Sequence, residues 1–87
     1  MKFLITLNMP SAQGYPVHQV ICDHGVKSLE EFCISLQDND FLISKQLYRQ
    51  KTPEGEVVWE DRGRLIINTH HIGKVQEWRD RAGPENA

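Results

Sequence analysis

The sequence predicts an α+β domain in which one short helix packs on a small antiparallel sheet or partly open barrel, in the order β-β-α-β-β-β. Three observations carry this. Strand-length apolar runs precede residue 25, a capped amphipathic stretch follows from Ser28, and Phe41 to Trp78 reads as an antiparallel meander. At 87 residues the chain has room for one core, and a domain of that size buries only about 60–65% of its unfolded surface. Residues 1–78 are therefore expected to form a single domain, with 79–87 as a flexible C-terminal tail that has nothing to bury.

Lys2 to Asn8 has strand length and composition, with Phe3, Ile5 and Leu7 on one side and Leu4 on the other. Apolar character on both sides suggests an interior strand. Met9 to Pro16 holds two prolines and a glycine within eight residues, a loop composition. Val17 to His24 resumes as a strand by its β-branched content, and a hairpin of these two strands follows. Ser28-Leu29-Glu30-Glu31 is a capping box, in which the serine oxygen accepts the Glu31 amide and the glutamate reaches back to the serine amide. Leu29, Phe32, Cys33 and Leu36 then fall at i, i+3, i+4 and i+7, one apolar helix face. Asp38-Asn39-Asp40 ends the helix, with Asn39 expected in the left-handed conformation.

Within the meander, Pro53-Glu54-Gly55 fits a three-residue loop, since proline presets φ for a type I turn and glycine can take the left-handed position that closes it. This loop pairs Arg49 with Trp59, Ile43 with Leu65 and Phe41 with Ile67, and it puts Phe41, Ile43, Leu47, Val57, Trp59, Leu65 and Ile67 on one core face. A one-residue slip would invert every side chain. Gly63 marks Asp61 to Gly63 as the place where the second strand kinks or bulges. After a polar turn at Asn68 to His71, Ile72 to Trp78 is expected to be the last strand. A helix over residues 69–82 is the alternative, disfavoured by Gly73 at about 1 kcal/mol relative to alanine.

Over residues 28–78, the helix-strand-strand-strand order resembles that of Sm-like small barrels. The likeness implies a barrel-like, nucleic-acid-binding module that uses a basic meander face. It is one of order alone, so no RNA-binding residue and no ring assembly is carried over from it.

Composition narrows the function classes. With 39% hydrophobic and 25% charged residues the chain is ordinary globular protein, and its net charge of −2 gives no prior for polyanion binding. The charge is uneven: up to Ser44 there are two lysines against five carboxylates, and from Lys45 onward eight basic residues against seven acidic. No stretch approaches the roughly 20 apolar residues of a membrane span, and no secretory leader is recognisable at the N-terminus. A cytoplasmic protein without membrane association is expected. Cys22 and Cys33 are too few for a disulfide scaffold.

His18, Cys22 and His24 fall on one strand face, with His70 and His71 as conceivable third ligands, yet closed metal sites carry tighter pairing than this. Cys22 and His24 lack an oxyanion site and any activating neighbour in sequence. No phosphate loop, serine elbow or paired-acid motif is present. The chain is accordingly expected to be non-catalytic, with no metal and no cofactor.

The even-numbered meander face is the candidate binding surface. The expected register sets Tyr48 beside Glu60, Gln46 beside Arg62 and Ser44 beside Arg64, with Arg49 over Trp59 as a cation–π pair on the rim. Arginine and tyrosine are enriched in binding hot spots. Gln46, Tyr48, Arg62, Arg64, Arg49 and Trp59 are thus the candidate contact residues of a protein-interaction or assembly module. For the alternative, a nucleic-acid binder, the strip would be Lys45, Tyr48, Arg49, Arg62 and Arg64. Self-association as a dimer is also expected, because Leu4, Leu42, Val58 and Ile66 are left seeking cover and an open sheet leaves two unpaired edges.

Overall fold

The computed structural model describes residues 1–9 and 18–79. Among these residues, five strands and one helix run in the order β1 (Lys2–Leu7), β2 (His18–Asp23), α1 (Leu29–Asp38), β3 (Phe41–Lys51), β4 (Val57–Asn68) and β5 (Ile72–Glu77), with a 3-10 turn at Thr69–His71 before β5. They form one open antiparallel sheet of order β4-β3-β2-β1-β5. The last segment is thus a strand and not a helix. Residues 10–17, which hold most of the expected loop, and 80–87 of the expected tail lie outside the described residues.

Alternation on β1 decides where the core lies. Phe3, Ile5 and Leu7 are buried, and their partners across the ladder, Cys22, Val20 and half-buried His18, share that face. The helix closes over it. Phe32 stacks on Phe3 with ring centroids 4.2 Å apart and planes within 5°, and both rings are fully buried. Leu29 and Leu36 flank Phe32, half-buried against the same cluster, whereas Cys33 is exposed rather than on the packed face. Ser28 caps the helix by accepting from the Glu31 amide at 3.1 Å. The reciprocal bond falls one residue earlier than expected: Lys27 N–H donates to Glu31 Oε1 at 3.4 Å. Asn39 is extended (φ −136°), not left-handed, because its side-chain amide instead donates to the Ser35 carbonyl at 2.7 Å and caps the helix directly.

The β3–β4 turn forms as its residues dictate. Thr52 N–H donates to the Glu56 carbonyl and Gly55 N–H to the Thr52 carbonyl, both at 2.8 Å, and Gly55 sits at φ +88°. From there the register runs as anticipated through Arg49↔Trp59, Tyr48↔Glu60 and Leu47↔Asp61. Then β4 takes an extra residue. Two steps on β3, from Leu47 to Lys45, match three on β4, from Asp61 to Arg64. Gly63, at φ +85°, supplies the left-handed residue of this bulge, and Asp61 Oδ1 accepts its N–H at 2.7 Å.

The bulge corrects the expected register and core face. Ile43 pairs with Ile66 rather than Leu65, and Phe41 with Asn68 rather than Ile67. Leu65 and Ile67 still point at the core and meet Ser44 and Leu42 there, whereas β3 alternates without a break, so Leu42 is buried, Phe41 and Ile43 are 57% and 56% exposed, and Leu47, Val57 and Trp59, also expected in the core, lie on the open side. One inserted residue inverts side-chain parity along the rest of the strand. Of the four residues expected to seek cover, Leu42 is therefore in the core; Leu4 is half-buried, and Val58 and Ile66 are exposed.

Candidate functional site

Two rows of side chains cross the face that the helix leaves open. One is Lys2, Asp23, Lys45 and Arg64; the other is Leu4, Ile21, Leu47 and Asp61. Leu4, Ile21 and Leu47 are each half-buried although no helix covers them. What covers them comes from the two opposite edges of the sheet. Successive strands twist by about 20–25°, so over five strands the sheet coils and diagonal corners rise on the same side; a bulge bends β4 further. Trp59, near the start of β4, and Trp78, just past the end of β5, consequently meet edge to face, with ring centroids 6.0 Å apart and planes at 89°. Lys2 Nζ lies 5.1 Å from the Trp59 ring centroid and the Arg49 guanidinium carbon 5.9 Å from that of Trp78. Each contact is a cation–π geometry. Beside the pair is a groove of about 340 Å³ lined by Leu4, Ile21, Leu47, Arg49 and Trp78.

The six candidate contact residues are thus divided between two faces. Arg49 and Trp59 are cross-strand partners as expected, but Arg49 lies over Trp78, and Lys2 takes the place over Trp59. Tyr48 and Arg62 are together on the other face, the guanidinium carbon 4.7 Å from the phenol ring centroid. Glu60 braces them: its carboxylate receives Arg62 Nε at 3.3 Å and Gln50 Nε2 at 2.9 Å. Arg64 does not join this group. The bulge turns it to the open face opposite Lys45, and Ser44, its expected partner, is buried with its hydroxyl donating to the Asp23 carbonyl at 2.9 Å. Gln46 is half-buried opposite the bulge, where its ladder partner on the other side is Cys22.

Lys2 and Trp78 were not among the expected site residues. Their contribution depends on sheet coiling between strands that are never neighbours, and no local pattern encodes that distance. The one available signal was Trp78 itself, a large aromatic at the end of an edge strand.

Burial pushes the Cys22 thiol up to about 11, only partly opposed by its hydrogen bond with Ser44, so it carries a proton throughout the neutral range. His24 packs edge-on to Phe32 at 5.1 Å, and its Nδ1 accepts from the Val26 amide at 3.3 Å. Among the described residues no three histidine, cysteine or carboxylate side chains converge in a way that would hold a metal ion. No helix among them is long and apolar enough to cross a membrane.

The open face carries mixed charge with a basic excess. Lys2, Lys45, Arg49 and Arg64 stand against Asp23 and Asp61, and the one pair formed within this set, Lys45 with Asp61 at 3.6 Å, is half-exposed and therefore weak. No protein-family model matches the chain, and comparison with the curated proteins and with the solved structures gives no match either.

Proposed function

We propose that this domain is a non-catalytic protein-interaction module that binds an extended acidic peptide segment of a partner protein across the open face, at the Trp59–Trp78 groove. The observation that carries this is the pairing of two half-buried indoles with two flanking cations beside an apolar floor of Leu4, Ile21 and Leu47. Tryptophan and arginine are the residue types that most often anchor protein interfaces. An apolar side chain of the ligand seats on the floor, and its carboxylates meet the excess of cations along Lys2, Lys45, Arg49 and Arg64.

A nucleic-acid strand has the same sign of charge but fits less well. Asp23 and Asp61 interleave with the cations in the same two rows and would face a continuous phosphate backbone. The indoles stand perpendicular to one another, each already faced by a cation, so they do not present the parallel platforms on which successive bases stack.

Of the two tryptophans of the chain, Trp78 lines the groove and Trp59 packs against it, so intrinsic fluorescence reports on the site. The test is a titration with a panel of acidic, neutral and basic peptides and with single-stranded RNA and DNA, for wild type and Trp59→Ala. Saturable quenching or blue shift with acidic peptides, weakened in Trp59→Ala, supports the proposal. Binding to oligonucleotides alone, with the steep salt dependence of counterion release, would replace it with the nucleic-acid reading.

A further inference from the structure

Among the described residues the strand order leaves β4 and β5 as the edges of the sheet, and the two differ in how they are protected. The β5 edge has six residues, including Gly73 and Lys74, and short edges bearing lysine resist pairing. The β4 edge has twelve, Val57 to Asn68, with neither lysine nor proline, and its protection is confined to the bulge at Gly63 and the charges of Glu60, Asp61, Arg62 and Arg64 about its middle. The direction of its backbone groups can be assigned from the ladder. Thr52 bonded to Glu56 and Thr69 bonded to Asp40 anchor the hydrogen-bonded pairs at the two ends, and alternation from each anchor turns the amides of Val58, Glu60, Leu65 and Ile67 inward to β3. Val57, Trp59, Asp61, Arg64, Ile66 and Asn68 then direct theirs outward. Because the bulge shifts both phases together, these six residues also share one side-chain face, the open one.

We propose that β4 pairs antiparallel with β4 of a second copy about a twofold axis between Arg62 and Gly63, so that Asp61 lies beside Arg64 of the second copy and Trp59 beside Ile66 of the second copy. The pairing rests on the edge of the sheet and not on the peptide groove, although Trp59 and Arg64 belong to both. It is the one register in which all twelve residues of the strand are paired, since Val57 then reaches Asn68 of the second copy. Every outward amide meets an outward carbonyl, and facing side chains fall on the same face. The charges are self-complementary: Arg64 has no ion pair within 4 Å among the described residues, and the twofold brings it to a carboxylate whose partners in the single chain are the half-exposed Lys45 and the Gly63 amide. Ile66, 63% exposed in the single chain, gains an aromatic neighbour. At the axis stands Gly63, where even a Cβ would have nothing within 4 Å, so the two bulges have room to face each other.

Sedimentation equilibrium of the full chain, with amide hydrogen exchange followed by NMR across a concentration series, tests this. The expected result is a dimer of twice the 10.1 kDa chain mass, with concentration-dependent protection at the Asp61, Arg64, Ile66 and Asn68 amides. Arg64→Glu sets like charges together at both symmetric contacts and should weaken the dimer about tenfold or more. A monomer at every concentration would overturn the proposal, as would a dimer in which the Asp61, Arg64, Ile66 and Asn68 amides exchange without protection or in which a folded Arg64→Glu variant associates undiminished. Should that variant not fold, the amide pattern of the wild type decides.

Discussion

Gly63→Ala isolates the energetic role of the β4 bulge. The glycine sits at φ +85°, and a Cβ built there meets no atom within 4 Å, so the substitution introduces no clash and acts on the backbone alone. Holding an alanine in the left-handed region costs roughly 1–2 kcal/mol. For a domain of 60–100 residues each kcal/mol moves the melting midpoint by about 4–8 °C, so Tm should fall by some 4–16 °C. Two further glycines serve as controls in the same assay, thermal unfolding followed by circular dichroism. Gly55, at φ +88° and likewise in open space, should lose a similar amount on mutation to alanine. Gly25 has open space without a positive φ, so Gly25→Ala should leave Tm unchanged or raise it slightly. If Gly63→Ala melts with wild type while Gly55→Ala does not, the bulge does not require a left-handed residue and the account of the register shift fails.

Phe32→Ala removes the ring stacked on Phe3 and should cost about 3–5 kcal/mol by denaturant titration, a large share of the stability of a domain this small. Ser28→Ala should cost about 1 kcal/mol through loss of the helix cap, and Ser28→Asp should restore most of it; equal midpoints for all three proteins would refute the capping assignment. With a thiol reagent near neutral pH, exposed Cys33 should react at once and buried Cys22 only on unfolding. Because the folded state holds the Cys22 proton up to about 11 against 9.0 in the unfolded chain, stability should decline as pH rises from about 9 toward 11, and Cys22→Ser should flatten that limb.

The elements were legible in the sequence because each is specified by a few neighbouring residues. Ser28 with Glu31 starts the helix, Pro53 to Gly55 fixes the hairpin loop and its first five pairs, and Gly63 marks the bulge. What could not be read locally was the consequence of the bulge. The ladder to β2, with buried Cys22 opposite Gln46, turns Leu42 and Ser44 of β3 inward and Phe41 and Ile43 outward. The extra residue of β4 then keeps Leu65 and Ile67 on the core side while Arg64 leaves the face it was expected to share with Tyr48 and Arg62. Apolar residues on both parities of β3, Phe41 and Ile43 on one and Leu42 on the other, made the two registers look equally well patterned. The site was legible in half. Arg49 and Trp59 follow from the hairpin loop alone, whereas Trp78 and Lys2 arrive through the coiling of five strands, a property of the whole sheet.

The meeting of Trp59 and Trp78 across opposite sheet edges is the geometry on which the proposed site rests, and a proton NOE spectrum tests it most directly. The chain has two tryptophans, so cross-peaks between their indole rings are unambiguous once each Nε1–H is assigned. Rings 6.0 Å apart and perpendicular should give strong inter-ring NOEs, together with contacts from the Lys2 methylenes to Trp59. Indole rings with no mutual NOE, in a protein whose Phe3–Phe32 and Ile43–Ile66 contacts are intact, would contradict the account.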